Sequence, residues 1–304
     1  MNSSESSASV TFTLYASLRL YNAALLVVVS VLYVSGLVLN LFLLLVIWVE
    51  SGLHRPMYVL LVNLCVSGVM GSSSVCLHII THLLSSRQQT SLPVCLTQVF
   101  FINAYSGSMF CILALMAYDR YVSICKPLLY HSIMTPAKVR TMLLLVYVTL
   151  GSSSAVQVLL LCRLRLCRRS VEKLLCDSLV VSKLSCEETP LIAAFGLCCA
   201  IAVVVLPCLL VLLSYLHIFM VVLKRSKVKG LQTCTPHLVT FINFSAASFF
   251  GVIYNRLSQQ VPEAVNVFTC FNFFIVPPLL HPIIYGVKMK EIRKSAKKMM
   301  KRHL

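Results

Sequence analysis

Residues 20–49 read LYNAALLVVVSVLYVSGLVLNLFLLLVIWV, a stretch of thirty residues without Asp, Glu, Lys or Arg. A bilayer-spanning α-helix needs about 20 consecutive, largely apolar residues, so this stretch is long enough to cross a membrane. Further charge-free windows follow at residues 56–86, 88–118, 141–162, 191–223, 230–255 and 264–287. Together they predict an all-α membrane protein, a bundle of seven transmembrane helices at about 21–49, 56–84, 93–122, 140–162, 191–223, 233–257 and 263–286.

The composition excludes several other classes of protein. Hydrophobic residues make up 59% of the 304 residues and charged residues only 12%, and the mean hydropathy is +0.89. A soluble domain is about 25% charged and would be unable to bury this much apolar surface. The net charge of +17 would suit a nucleic-acid-binding protein, but not with this hydropathy. We therefore expect a single membrane domain over residues 1–304, with no nucleic-acid partner.

The distribution of Lys and Arg predicts the orientation of the helices. Cytoplasmic segments carry an excess of basic residues, and eight Lys or Arg fall in residues 288–304 alone. We therefore expect the N-terminus, residues 1–20, outside the cell and residues 288–304 as a cytoplasmic basic tail. Apolar residues at helical spacing in that tail predict a short amphipathic helix on the anionic inner leaflet of the lipid bilayer. A basic tail that only sets the topology is the alternative.

The most specific motif lies at the inner end of the third predicted helix. Residues 116–125 read MAYDRYVSIC, and KPLLY follows at 126–130. Charges at a membrane edge are costly unless they are paired or wetted, so Asp119 and Arg120 form either an anchoring ion pair or part of a switch. The motif resembles the signature of the vertebrate odorant (olfactory) receptors, a branch of the rhodopsin-like G-protein-coupled receptors, with Ser123 where Ala is usual.

Two further motifs extend this resemblance. LQTCTPH at 231–237 is similar to the odorant-receptor motif that opens the sixth helix, in its fish-like form, and PPLLHPIIY at 277–285 is similar to the ending of the seventh helix. The resemblance implies a switch that couples to a heterotrimeric G protein. Its members would be Asp119, Arg120, Tyr121, Tyr215, His281, Pro282 and Tyr285.

The chain departs from the family pattern at three positions. Gly68 stands where many rhodopsin-like receptors carry a sodium-binding Asp, Ser245 replaces a common aromatic residue, and His281 replaces the usual Asn before Pro282. A family member that couples weakly to its G protein is therefore an alternative.

The resemblance also implies a ligand pocket between the third, fifth, sixth and seventh helices, near their outer halves. Apolar walls with a few hydroxyls and one amide suit a small, mostly neutral odorant. An amine is disfavoured unless the outer loop supplies Glu187, Glu188 or Asp177, because Ile102 stands where amine-binding relatives carry Asp. The candidate ligand-binding residues are Ile102, Asn103, Ser106, Gly107, Cys199, Val203, Ser248, Phe249, Val252, Phe271 and Phe274.

The activity that the resemblance implies is that of a receptor and not of an enzyme. An odorant would activate a stimulatory, olfactory-type G protein and raise cyclic AMP, with the chain as a multi-pass protein of the plasma membrane in olfactory sensory cilia. A rhodopsin-like receptor for a non-odorant ligand is one alternative. A transporter or channel is another, but it should carry ionisable residues along a path through the bilayer. A retinal cofactor would need a Lys in the seventh helix, where residues 264–287 contain none, so no cofactor is expected.

The 14 cysteines are expected to differ by location. Four fall on the predicted outer side and allow three pairings, of which the resemblance implies Cys95–Cys176 and Cys167–Cys186. No two-residue Cys spacing or clustered His accompanies them, so no metal site is expected. Asn2 opens an Asn-Ser-Ser acceptor for glycosylation on the predicted outer terminus.

Overall fold

The computed structural model describes residues 9–12, 22–84, 90–167, 170–171, 175–225, 229–257 and 263–303. Within these residues, seven helices are long and apolar enough to cross a membrane, which confirms the predicted all-α bundle. We number them first to seventh along the chain. They run over Asn22–Val49, Pro56–Leu84, Leu92–Cys125, Pro136–Cys162, Pro190 to Arg225, Lys229–Leu257 and Glu263 to Lys288.

The two ends of the bundle are named here after the predicted orientation. The inner end is the one that holds Asp119 and Arg120, and the outer end is the opposite one, where Cys95 opens the third helix.

Proline marks the start of several spanning helices. Pro56, Pro136 and Pro190 are the first residues of the second, fourth and fifth helices. Proline suits this position because an N–H there would have no partner within the helix. The Thr135 hydroxyl caps the fourth helix by accepting a hydrogen bond from the Lys138 backbone N–H at 3.3 Å. The fourth helix therefore begins before the predicted residue 140, because its first turns carry charged residues that a search for charge-free windows leaves out.

The third helix is the axis of the bundle. In its most apolar stretch 61% of the residues are buried, whereas the corresponding shares in the first and fifth helices are 17% and 11%. The first and fifth helices therefore present most of their apolar side chains outward, as expected of helices that face lipid.

An aromatic cluster occupies the middle of the bundle around Tyr105 of the third helix. The Tyr105 ring contacts Phe244, Phe273 and Phe274 at centroid distances of 6.0, 5.6 and 5.5 Å, and its hydroxyl donates to the Phe273 carbonyl at 3.0 Å. A Cβ atom at Gly71 of the second helix would overlap the same ring. Glycine is therefore what lets the second helix pack against Tyr105.

The fifth and seventh helices each contain one wide π-helical turn, at Ile201–Val205 and Phe271–Ile275. Such turns re-aim the residues that follow and are frequent at functional sites. Both lie at the predicted ligand pocket, since Val203 belongs to one and Phe271 and Phe274 belong to the other. Hydropathy and charge carry no signal for these turns, and they were not predicted.

A small sheet joins three segments at the outer end. Strand β1 (Ser9–Phe12) pairs antiparallel with β2 (Thr90–Ser91) and parallel with β3 (Ser170–Val171). It connects the segment before the first helix to the two outer loops that flank the third and fourth helices. Short helices at Tyr130–Ile133 and Ser178–Lys183 lie in the loops after the third and fourth helices.

A fourteen-residue helix, Lys290–His303, follows the seventh helix at the inner end. Ile292 is buried against the bundle. Glu291 accepts a hydrogen bond from the Tyr58 hydroxyl at 3.2 Å, and Lys298 pairs with Glu50 at 2.9 Å. The predicted amphipathic helix is thus present, docked against the inner ends of the first and second helices.

Candidate functional site

The ion pair at the inner end is built around a wholly buried carboxylate. Asp119 is 0% exposed and accepts hydrogen bonds from Arg120 Nη2 and from the Tyr130 hydroxyl, both at 2.8 Å. A buried charge is tolerated only with such partners. Burial and the negative charge of Asp119 both raise the pKa of Tyr130, so this phenol stays a neutral donor. Tyr130 lies in the KPLLY string but was not predicted as a site residue.

Tyr121 points to the fifth helix rather than to Asp119. Its ring stacks on Tyr118 at 6.3 Å, meets His217 edge-on at 5.9 Å, and lies 5.8 Å from the Lys126 ammonium. It therefore lies beside the ion pair, at the contact between the third and fifth helices.

A second polar link joins the third, fifth and sixth helices at the inner end. His237 of the sixth helix stacks on Tyr215 of the fifth, with ring centroids 5.6 Å apart, and its Nδ1 bonds the Tyr215 hydroxyl. Its Nε2 lies 2.8 Å from the carbonyl oxygen of Leu113 on the third helix. Because a carbonyl only accepts, Nε2 carries the proton and Nδ1 accepts from Tyr215. His237 was missed as a site residue, although it closes the LQTCTPH string.

The seventh helix brings His281, Pro282 and Tyr285 into the interior, where all three are buried. Both ring nitrogens of His281 are buried without a hydrogen-bond partner among the described residues. Buried polar atoms of this kind are normally satisfied by internal water.

The first helix compensates for the missing N–H of Pro282. A proline leaves the carbonyl four residues earlier without its helical donor. That carbonyl belongs to Pro278, and Asn40 Nδ2 donates to it at 2.7 Å. Gly68 of the second helix lies beside the same residue, since a Cβ there would be 3.3 Å from Pro278 Cβ. At the position where many rhodopsin-like receptors carry Asp, this chain thus has a close contact between the second and seventh helices.

The predicted pocket residues of the third helix lie between the third, fourth and fifth helices. Asn103 Nδ2 donates to Gln157 Oε1 of the fourth helix at 2.9 Å, and Ser106 donates to the Ile102 carbonyl at 2.9 Å. A Cβ on Gly107 would meet Leu150 and Val203. The amide of Asn103 is thus turned to the fourth helix, and Gln157 joins the candidate site as a residue that was not predicted.

The remaining helices place their predicted pocket residues unequally. Phe274 is buried against Tyr105, while Cys199, Val203 and Phe271 are half-buried. In the sixth helix, Ser248 is half-buried and donates to the Phe244 carbonyl at 2.7 Å.

Phe249 and Val252 are 44% and 60% exposed, so the structure does not bring them to the interior, contrary to the expectation from the sequence. The buried face of the sixth helix runs through Phe244, Ala247 and Gly251. These positions follow helical spacing, and Phe249 and Val252 fall on the opposite side of it.

The outer loop is fastened to the third helix. Disulfide bonds join Cys95 to Cys176 and Cys167 to Cys186, the pairing that the resemblance implies. Gln98 Oε1 also accepts a hydrogen bond from the Cys176 backbone N–H at 2.9 Å. The loop therefore lies over the outer end of the third helix. Asn2, the predicted glycosylation acceptor, lies outside the described residues.

Comparison with known proteins agrees with this arrangement. The olfactory receptor family model matches residues 29–303. Olfactory receptor 56A5 of Homo sapiens is 32% identical over 282 residues, covering 90% of this chain and 89% of the relative. Olfactory receptor 5AN1 of Homo sapiens is 31% identical over 277 residues, covering 90% and 88%. The olfactory receptor-like protein OLF3 of Canis lupus familiaris is 29% identical over 282 residues, covering 91% and 88%.

The match runs from within the first helix to the end of the tail helix and includes the ion pair of the third helix. The family consists of odorant receptors that have no enzymatic activity. With its seven spanning helices, its two outer disulfides and this family match, the chain belongs to the olfactory receptor family of G-protein-coupled receptors.

Proposed function

We propose that this receptor binds a small, mostly neutral odorant in the outer half of the bundle and activates a stimulatory, olfactory-type G protein, which raises cyclic AMP. The observation that supports the proposal is that two separate polar links hold the helices together at the inner end. Asp119 holds Arg120 at 2.8 Å, and His237 ties the sixth helix to Leu113 and Tyr215. Two discrete polar links of this kind give a bistable element, which a switch requires.

The pocket proposal keeps the residues that the structure places in or beside the interior. The hydroxyls of Ser106 and Ser248 are engaged with backbone carbonyls of their own helices. Their oxygens can still accept a hydrogen bond from a ligand. None of these residues is ionisable apart from the Cys199 thiol, so a charged ligand would find no counter-ion among them. The proposed ligand contacts are Ile102, Asn103, Ser106, Gly107, Cys199, Val203, Ser248, Phe271 and Phe274.

The aromatic cluster around Tyr105 is the proposed connection from this pocket to the inner end. It contains Phe244 of the sixth helix and Phe273 and Phe274 of the seventh. Phe244 lies two turns from His237 on the same helix. An odorant that displaces Phe274 would move a packed group that both helices share, because dense interiors rearrange between discrete packings.

Activation is proposed as a shift between two populations. An odorant that binds the active arrangement better than the resting one biases the equilibrium by about 1.4 kcal/mol for each tenfold difference in affinity. In the active arrangement the inner end of the sixth helix leaves the third, which breaks the link from His237 to the Leu113 carbonyl. Arg120, Tyr215 and Tyr285 then rearrange to contact the G protein.

The membrane setting is part of the proposal. The N-terminus lies outside and the tail helix lies on the anionic inner leaflet of the plasma membrane, in olfactory sensory cilia. Lys290, Arg293, Lys294 and Lys297 are exposed on the tail helix. Basic residues next to an anionic leaflet each contribute about 1 kcal/mol of attraction.

The test is a cyclic AMP assay in cells that express the full chain with an olfactory-type G protein, against a broad panel of odorants. We expect a saturable cyclic AMP response to at least one odorant, and we expect Arg120→Ala to abolish it. Arg140→Ala is the matched control, because Arg140 is an exposed arginine near the inner end of the fourth helix. A response that persists in Arg120→Ala at equal surface expression, or an odorant-dependent current without a G protein, would contradict the proposal.

A further inference from the structure

A cavity lies apart from the proposed odorant pocket, between the outer halves of the second and third helices. It measures about 450 Å³ and opens to the side of the bundle. Leu77 and Val94 at its rim are each 51% exposed, so the opening faces the surroundings that a membrane would fill. The cavity is lined by Ser73, Ser74, Leu77, His78, Thr81, Pro93, Val94, Thr97, Gln98 and Phe101.

Three of the four hydroxyl groups that line this cavity donate to backbone carbonyls of their own helices, and the fourth, Ser73, shares a hydrogen bond with the Tyr33 hydroxyl at 3.0 Å. Thr81 donates to the His78 carbonyl at 3.0 Å, Thr97 to the Pro93 carbonyl at 2.8 Å, and Ser74 to the Gly71 carbonyl at 2.8 Å. The oxygens of these hydroxyl groups can still accept a hydrogen bond from a ligand. A ligand that enters the cavity therefore meets several acceptors, and a ligand that can donate a hydrogen bond gains from them.

His78 adds both kinds of hydrogen-bonding group. A neutral imidazole carries one N–H donor and one bare nitrogen that accepts. No hydrogen bond joins the His78 ring to another described residue. The ring stacks on His82, with centroids 6.1 Å apart and planes 20° from parallel, and His82 is buried. The stacked neighbour thus orients the His78 ring, which stays open to a ligand.

The other walls of the cavity suit a hydrocarbon. Leu77, Val94, Pro93 and Phe101 supply apolar surface. None of the lining residues is acidic, so a cationic ligand would have no counter-ion there. The cavity volume lies in the range of small-molecule sites, about 300–1,000 Å³.

We propose that this cavity is a second ligand site, which takes a neutral aliphatic alcohol from the bilayer. The hydroxyl of the alcohol donates to the Thr81 oxygen and accepts from the His78 N–H, while its chain lies along Leu77, Val94 and Phe101. An aldehyde of the same length only accepts, so it gains the single donor of His78. An alkane gains neither contact.

The cavity also lies next to the contact that holds the outer loop to the third helix. Gln98 lines it and accepts a hydrogen bond from the Cys176 N–H at 2.9 Å. Gln98 Nε2 reaches the Ser74 carbonyl of the second helix at 3.4 Å. An alcohol bound here therefore touches the residue that connects the second helix, the third helix and the disulfide of the outer loop.

The test uses the purified full chain in lipid nanodiscs and a photoreactive probe, a diazirine analogue of 1-octanol, with the adducts located by peptide mass spectrometry. We expect adducts concentrated on the second and third helices at Leu77, Val94 and Phe101. At equal membrane concentrations, 1-octanol should compete for this labelling, octanal should compete about fivefold less well, and octane should not compete.

Two variants separate the site from general partition into lipid. His78→Phe and Thr81→Val should each reduce the labelling about fivefold, the effect of one lost hydrogen bond. Thr141→Val is the matched control, because Thr141 is an exposed threonine that donates to the Ala137 carbonyl in the same way. Its labelling should equal that of the unchanged chain.

Three results would overturn the proposal. They are labelling spread evenly over the outward faces of the helices, competition by octane equal to that by 1-octanol, or unchanged labelling in both His78→Phe and Thr81→Val. The thermal unfolding midpoint of each variant shows whether it is folded. The labelling needs no G protein, so it tests the cavity independently of the signalling function.

Discussion

At the scale of single residues, His237 joins the third, fifth and sixth helices near the inner end. Its two ring nitrogens bond Tyr215 and the Leu113 carbonyl. We predict that His237→Phe keeps the stacked ring but loses both hydrogen bonds, so that cyclic AMP without odorant rises about fivefold for each 1 kcal/mol of lost closure. The measurement is ligand-free cyclic AMP per surface receptor.

The control for this variant is His131→Phe, because His131 is exposed in the inner loop after the third helix. Ligand-free cyclic AMP that stays unchanged in His237→Phe would mean that His237 does not restrain the sixth helix.

Gly71 is a second residue whose effect is specific. A Cβ there would overlap the Tyr105 ring, whereas a Cβ on Gly151 of the fourth helix would meet nothing within 4 Å. We predict that Gly71→Ala destabilises the receptor by about 1–3 kcal/mol through overpacking, and that Gly151→Ala leaves it unchanged or slightly more stable. Thermal unfolding of the two purified variants is the measurement. Equal midpoints would contradict this account of the close contact.

At the scale of structural elements, the two disulfides should contribute unequally. Cys95–Cys176 joins residues 81 apart and Cys167–Cys186 joins residues 19 apart, and a longer closed loop restricts the unfolded chain more. Cys176 also lies in a buried apolar cluster with Val99, Leu161 and Val181. We predict that Cys95→Ser loses most surface expression and that Cys186→Ser loses less. Flow cytometry of intact cells measures both, and the reverse order would contradict the prediction.

The tail helix provides a contrast between apolar and charged contacts. Ile292 is 2% exposed, whereas the Lys298 and Glu50 side chains are 51% and 27% exposed. Ion pairs this open contribute about 0–1 kcal/mol, and a buried isoleucine cut to alanine costs about 2–5 kcal/mol. We predict that Ile292→Ala lowers the thermal unfolding midpoint clearly and that Lys298→Ala barely changes it. An equal effect of the two would mean that charge docks the tail helix.

Prediction from the sequence succeeded for elements that can be recognised from their own residues, without knowledge of their contacts. Charge-free length marked the seven spans, and apolar spacing over residues 289–299 marked the tail helix. Strand β1 was missed because it depends on a contact with the distant residues Ser170 and Val171, and the π-helical turns were missed because no hydropathy or charge pattern marks them. The face of the sixth helix that turns to the interior was predicted wrongly, because this helix carries apolar residues on several sides. Composition alone therefore did not distinguish the exposed Phe249 from the buried Phe244. Assignment to the fish-like branch stays a prediction.

At the scale of the whole molecule, the distribution of charge predicts the orientation. The chain carries a net charge of +17, with the tail as its most basic segment, and basic segments stay on the cytoplasmic side. We predict that an epitope tag before Met1 is stained by antibody on intact cells, and that a tag after Leu304 is stained only after permeabilisation. The opposite pattern would reverse the orientation and place Arg120 out of reach of a G protein.

The hydrogen bonds of His237 also bear on how weak an odorant signal a cell with this receptor can detect. A sensory cell reports an odorant only when the signal exceeds the spontaneous firing of its own receptors. Each 1.4 kcal/mol added to the resting closure makes spontaneous activity about tenfold rarer, and it demands the same extra amount of discrimination from the odorant. In the proposed mechanism, the two hydrogen bonds of His237 therefore lower the background activity and raise the detection threshold together, so a quieter neuron needs a more selective odorant.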